Sequence, residues 1–195
     1  IIALDIAMTI HEELFGSMEQ ISMHTSYLAN RLYNGLKSLR HANGELICNL
    51  YAPETAFDGC CRSQGPVVAF NLRNSHGAWV SISEVEKLAS VRRIHIRTGG
   101  LCNPGGLATS IGLQPWEMKR NFSSGYRCGN ENDIIGGKPT GVIRASLGAM
   151  STLEDVDSFI AFMKDFYVES NPALIEPTLA NSNEEQSTLF VESLT

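Results

Sequence analysis

The chemistry in this sequence concentrates in Arg97-Thr98-Gly99-Gly100-Leu101-Cys102-Asn103-Pro104-Gly105-Gly106. Glycine pairs flank a cysteine on both sides. Glycine admits backbone conformations barred to other residues, so such a loop can extend or fold back. A thiol carried on it could travel to a reaction partner rather than sit in a wall. Thiols are partly ionised near neutral pH and strongly nucleophilic in that form. Arg97 lies five residues before the cysteine, and its planar fork of donors matches a carboxylate. The loop lacks the G-x-x-x-x-G-K-[ST] spacing of a phosphate cradle.

Arg144 is the second candidate. It stands in the middle of Gly141 to Gly148, a run otherwise made of Val, Ile, Ala, Ser and Leu. An arginine there is costly to bury unless something pairs with it. A substrate carboxylate, an acidic side chain of the same chain or plain solvent would each answer that need. For Cys102 the plain alternative is a spectator thiol, and for His95 a structural role. The other cysteines are Cys48, Cys60, Cys61 and Cys128. An odd count with no C-x-x-C pair supports neither a disulfide framework nor a zinc site, and fits a cytoplasmic protein. The vicinal pair Cys60-Cys61 reads as two idle thiols in a solvated loop.

These residues need elements to position them. Ile10, Leu14, Met18, Ile21, Leu28, Leu32, Leu36 and Leu39 recur at helical spacing and predict one helix over 10–39. It would span about 45 Å and so bridge two lobes. Strands are expected over 45–51, 66–72 and 93–97, with an irregular loop over 52–65. Ser83 with Glu86, and Ser151 with Glu154, have the spacing of capping boxes. Pro115 can open a helix carrying Trp116, Met118 and Phe122. Residues 136–139 form a turn. The strand over 141–148 puts Ile143, Ala145 and Leu147 on one face, and Val142, Arg144 and Ser146 on the other. The last helix shows an apolar stripe of Val156, Phe159, Ile160, Met163 and Phe166. Helices alternate with strands, which defines an α/β layer sandwich. Residues 171–188 are rich in Asn, Ser, Glu, Pro and Thr and read as a linker, after which 189–191 would begin another element.

Across the 195 residues, 15 lysines and arginines face 21 acidic residues, a net charge of −6. That removes a nucleic-acid footprint. Apolar residues make up 43%, enough for a core, yet no run approaches the roughly 18 residues of a membrane span. The chain opens on Ile1 inside apolar sequence, and is therefore expected to be a piece of a longer protein.

Taken together, R-T-G-x-x-C-N-P-G-G at 97–106 and G-K-P-T-G-V-I-R-A-S-L-G-A-M-S-T at 137–152 resemble a known pattern. With G-Y-R-C-G-N-E-N-D-I-I-G-G between them, they resemble the C-terminal lobe of the NifS-like domain of molybdenum cofactor sulfurases. These are relatives of the cysteine desulfurases, in the fold type I group of pyridoxal-phosphate enzymes. The resemblance covers about residues 1–168. It implies bridging helices over 1–43, a small C-terminal lobe over 44–170, and a linker over 171–195 toward a further C-terminal domain. It also implies that sulfur taken from L-cysteine, with release of alanine, rests as a persulfide on Cys102. Arg97 and Arg144 would hold the substrate carboxylate. The sulfur would pass to molybdenum cofactor, for xanthine dehydrogenase and aldehyde oxidase. A homodimer is implied as well.

The loop departs from the family's frequent C-F-C-N-x-G-A-C, because Gly100 and Leu107 occupy the outer cysteine positions. Lys37, Lys87, Lys119, Lys138 and Lys164 match no H-K motif of the kind that carries pyridoxal phosphate. The cofactor lysine and its partner aspartate are therefore expected upstream, and the chain alone is expected to be inactive. Two other functions fit the same residues: a cysteine desulfurase feeding iron–sulfur assembly, and a non-catalytic module that binds a partner protein. The segment between Gly112 and Gly137 and the polar tail favour the sulfurase.

Overall fold

The structure, a computed structural model, describes residues 2–52, 56–57, 64–100, 102–127 and 132–169. The predicted linker and the element after it lie outside these, as do Cys60, Cys61 and Cys128. The α/β expectation is met. β1 (Cys48–Leu50), β2 (Val67–Leu72), β3 (Arg97–Gly99) and β6 (Val142–Ser146) form an antiparallel sheet in the order β1-β2-β6-β3. α2 (Met18–Ser38) and α6 (Leu153–Tyr167) pack together and join its core.

Alternation along the strands gives the sheet two unlike faces. Val68, Phe70, Leu72, Ile143 and Ala145 point into the core with Leu28, Leu32 and Leu36 of α2 and Val156, Phe159 and Met163 of α6. Each fully buried Leu or Phe of this set stabilises the fold by about 1.5–3 kcal/mol. The opposite face carries Asn49, Ala69, Asn71, Arg97 and Arg144.

The single helix expected over 10–39 is two. α1 (Ile2–Phe15) ends at Gly16, whose φ of 72° is left-handed. Ser17 then starts α2 with a capping box: its hydroxyl accepts from the Gln20 amide at 3.2 Å, and its own N–H donates to Gln20 Oε1 at 2.9 Å. A glycine that turns the chain and a serine that restarts it outweigh the apolar periodicity.

Both other caps shift by one or two residues. Ser81, not Ser83, caps α3 (Ile82–Val91), accepting from the Glu84 amide. Thr152 and Asp155, not Ser151 and Glu154, form the box at α6. The strand expected over 93–97 begins only at Arg97, because Arg93, at φ 60°, is still leaving α3. The turn at 136–139 is the tip of a hairpin of β4 (Ile134–Ile135) and β5 (Lys138–Pro139), in which Gly136 and Gly137 both take positive φ. Two left-handed residues in succession are what a tight hairpin of this hand requires.

α5 (Pro115–Ser123) starts where Pro115 predicts, but two of its three large apolar side chains do not face inward. Trp116 and Phe122 are exposed, while Glu117 and Asn121 are buried. Polar bonds decide this orientation. Glu117 accepts from the Gln114 N–H at 2.8 Å and from Lys138 Nζ at 3.0 Å, and Lys138 also donates to the Gly112 carbonyl. The Gln114 amide, then the Lys138 ammonium, hold the Glu117 carboxyl below its usual range.

Candidate functional site

Strand register brings the two predicted arginines together. Arg97 on β3 pairs directly with Arg144 on β6, and Arg144 pairs on its other side with Ala69 on β2. The two guanidinium stems therefore rise side by side from one face of the sheet. Directly opposed like charges destabilise a sheet. No acidic side chain among the described residues pairs with either arginine, and Arg144 Nε is buried without a hydrogen-bond partner. Of the three ways to satisfy Arg144 that the sequence left open, an internal ion pair is thus absent among the described residues. An anion between the two forks would offset both the repulsion and the unmet donor.

The loop after β3 is shorter than the glycines imply. α4 (Pro104–Ile111) begins inside it, with Asn103 Oδ1 accepting from the Gly106 N–H at 3.1 Å and Pro104 in the first helical turn. The glycine content hid this helix, although Asn-Pro is a start signal. Cys102 sits just before that cap. It is exposed, and its φ of 56° is one that a non-glycine residue adopts only under constraint. The turn is closed by the Asn103 N–H donating to the Gly100 carbonyl at 3.1 Å.

Two clefts flank this turn. One, of about 280 Å³, lies between α4 and the polar sheet face, and is lined by Tyr51, Ala69, Arg144, Asn103 and Ser110. The other, of about 730 Å³, is largely apolar and is lined by Cys102, Leu113, Met118, Phe122 and Tyr126. Gly100 and Leu107 line both, so the cysteine turn is the wall between them. The thiol stands on the apolar side. No residue spacing announces the second cleft, because α5 and the turn are joined only in space.

Cys48 is the opposite kind of cysteine. It is 5% exposed, and burial pushes its thiol up to about 12. Brief alkylation of the folded protein at neutral pH is expected to modify Cys102 and leave Cys48 intact, as read by peptide mass spectrometry. Prompt labelling of Cys48 would contradict the packing described. His95 is exposed on its stretch of chain.

The fit to pyridoxal phosphate is poor. No lysine among the described residues lines the cleft that holds Arg144, and Lys138 is committed to Glu117 and the Gly112 carbonyl. No chemistry through that cofactor is derived from these residues. The described residues also hold no metal-binding group of His, Cys, Asp and Glu side chains. No described helix is long and apolar enough to cross a membrane.

The fold has a solved counterpart. It superimposes on the apo structure of a cysteine desulfurase from Thermococcus onnurineus NA1 with a TM-score of 0.54 at 18% identity, over 80% of this chain and 28% of that one. Sequence then narrows it. The chain is 56% identical over 201 residues to the molybdenum cofactor sulfurase of Neurospora crassa, which matches all of it. It is 60% identical over 181 residues to that of Chaetomium globosum, covering 91% of this chain, and 52% identical to that of Botryotinia fuckeliana along its whole length. Along its full length, then, this chain is homologous to a segment of the molybdenum cofactor sulfurases, as its motifs imply. It spans about a fifth to a quarter of these relatives, at 21%, 23% and 24% of their lengths. No family model matches it.

Proposed function

We propose that this chain is the persulfide-bearing lobe of a molybdenum cofactor sulfurase. The observation that carries this is the pairing of Arg97 with Arg144 beside an exposed thiol. In the net reaction, L-cysteine and the Cys102 thiol give L-alanine and a Cys102 persulfide. One sulfur atom moves, the C–S bond of cysteine is replaced by C–H, and the S–H of Cys102 by S–S–H. Pyridoxal phosphate, held by other parts of the complete sulfurase, would supply the electron sink for C–S cleavage. The chain by itself would neither hold it nor release alanine.

What these residues do is position. The two arginine forks hold the substrate carboxylate at the sheet face, so the thiol needs to cover only the width of its own turn to reach the substrate. The apolar cleft on the far side then receives the loaded sulfur before it passes to molybdenum cofactor, and from there to xanthine dehydrogenase and aldehyde oxidase. Residues 1–43 would belong to the joint with a larger lobe, 44–170 to the small lobe, and 171–195 to a linker. A cytoplasmic homodimer is the expected setting. The likeness to a cysteine desulfurase would also suit a role in iron–sulfur assembly, but identities above 50% to sulfurases favour the molybdenum pathway.

Arg144→Gln in the complete sulfurase tests the carboxylate grip. Hydrogen bonds to charged groups are worth about 1.5–3 kcal/mol, so KM for L-cysteine should rise about ten- to a hundredfold. Arg144→Lys should recover little, since an ammonium cannot make the bidentate contact. An unchanged KM in the folded glutamine variant would exclude this role.

A further inference from the structure

Arg97 and Arg144 belong to a longer row. Beyond Arg144 the same row crosses Ala69 on β2 and reaches Tyr51, whose N–H donates to the Ala69 carbonyl at 3.0 Å and continues the register of Leu50 with Phe70. Four neighbouring positions on one face therefore read Tyr51, Ala69, Arg144, Arg97. Strands lie about 4.8 Å apart, so the Tyr51 and Arg144 backbones stand roughly 10 Å apart with only a methyl group between them. Two long polar side chains thus flank a gap floored by alanine, and α4 roofs it; this is the 280 Å³ cleft.

The polar atoms of the two walls are unmet. Tyr51 Oη and Arg144 Nε are both buried; Arg144 Nε has no hydrogen-bond partner among the described residues, and Tyr51 Oη has the Asn49 side chain near it but outside hydrogen-bond geometry. An unmet buried donor is expensive, and it is rarely kept without a use. Burial pushes the Tyr51 phenol up to about 12, against a smaller opposing pull from the Asn49 amide and the Arg73 charge. The phenol therefore keeps its proton, and its O–H can donate, at neutral pH. A group that accepts from both sides and fits above a methyl floor is a compact, flat anion.

We propose that Tyr51 is a third donor to the substrate carboxylate, and that Ala69 sets the floor on which the carboxylate sits. This rests on the carboxylate grip assigned above to Arg144. Tyr51 is a binding residue for the amino-acid end of the substrate and takes no part in breaking the C–S bond. Nothing in the sequence marks it, because Tyr51 lies at the end of a short strand and tyrosine is an ordinary strand-forming residue.

The test is steady-state alanine release by the complete sulfurase carrying Tyr51→Phe or Ala69→Leu, with circular dichroism as the check on folding. Tyr51→Phe should raise KM for L-cysteine about tenfold or more while kcat changes far less, because the lost bond serves the bound substrate. Ala69→Leu should raise KM similarly by filling the floor. A merely structural role would lower the amount of active enzyme and leave KM where it was. If Arg144→Gln raises KM and the folded Tyr51→Phe protein does not, the third donor is refuted and the arginine grip stands. If neither variant moves KM, the carboxylate site itself is misplaced and the inference falls with it.

Discussion

Cys102→Ala in the complete sulfurase is expected to abolish sulfur delivery, by about three orders of magnitude or more. The size follows from its place in the chemistry. A nucleophile that must accept the sulfur atom has no partial substitute, and losses of this kind are far larger than those from a positioning residue. The structure leaves no nearby reserve among the described cysteines, because Cys48 is buried beneath the apolar face of the sheet and its thiol is held protonated. Nor is there a second cysteine at the outer positions of the loop, where Gly100 and Leu107 stand. Feeding sulfur-labelled L-cysteine and mapping the label by mass spectrometry should place one extra sulfur on the Cys102 peptide. Label on Cys48 or Cys128 instead would refute the assignment to Cys102, and full delivery by the alanine variant would turn the reading toward a non-catalytic module.

How much of this was legible beforehand follows a physical line. Properties that depend on a residue's own strand or helix could be read. The alternation that sends Ile143 and Ala145 inward and Arg144 outward is fixed by the pleat, and the structure keeps it. The exposed cysteine in a turn after a strand was equally local. What could not be read is register. Nothing in the sequence says that Arg97 pairs with Arg144 rather than with Ser146, or that Tyr51 lands in the same row. Those alignments are set by the core face and by packing between distant segments.

Local departures from the sequence pattern have a different origin. At Gly16 an apolar period ran on through a residue that turns the chain, and at 104–111 a glycine count outweighed an Asn-Pro start. On α5 the exposed Trp116 and Phe122 look like core residues until the Glu117 bonds to Gln114 and Lys138 are known. Polar contacts made across 21 residues orient that helix, and apolar content alone could not predict them.

Gly141→Ala should be the most damaging single methyl in the site. A Cβ at Gly141 would lie 2.6 Å from Gly99 Cα, 2.7 Å from Gly99 C and 2.8 Å from Ile82 Cδ1. Two of those atoms are backbone and cannot rotate away. Gly141 therefore permits a close approach between β3 and the start of β6, which a larger residue would force apart. Overpacking of this sort costs about 1–3 kcal/mol, and more where the chain cannot yield. The displacement would fall on β3, between Arg97 and Cys102, and so would spoil both the arginine pairing and the placement of the thiol. The Gly141 carbonyl also accepts from buried Asn71 Nδ2 at 3.1 Å, a bond on the same polar face that the shift would strain. Denaturant unfolding should show the stability loss, and KM for L-cysteine should rise in the fraction that remains folded. Gly35→Ala is the comparison. Its Cβ would meet the Ile160 side chain at the contact of α2 with α6, where a rotamer change can relieve the crowding away from the site. It should lose some stability and keep its KM. Equal KM values for the two variants would mean that the approach of Gly99 to Gly141 does not hold the arginines in place.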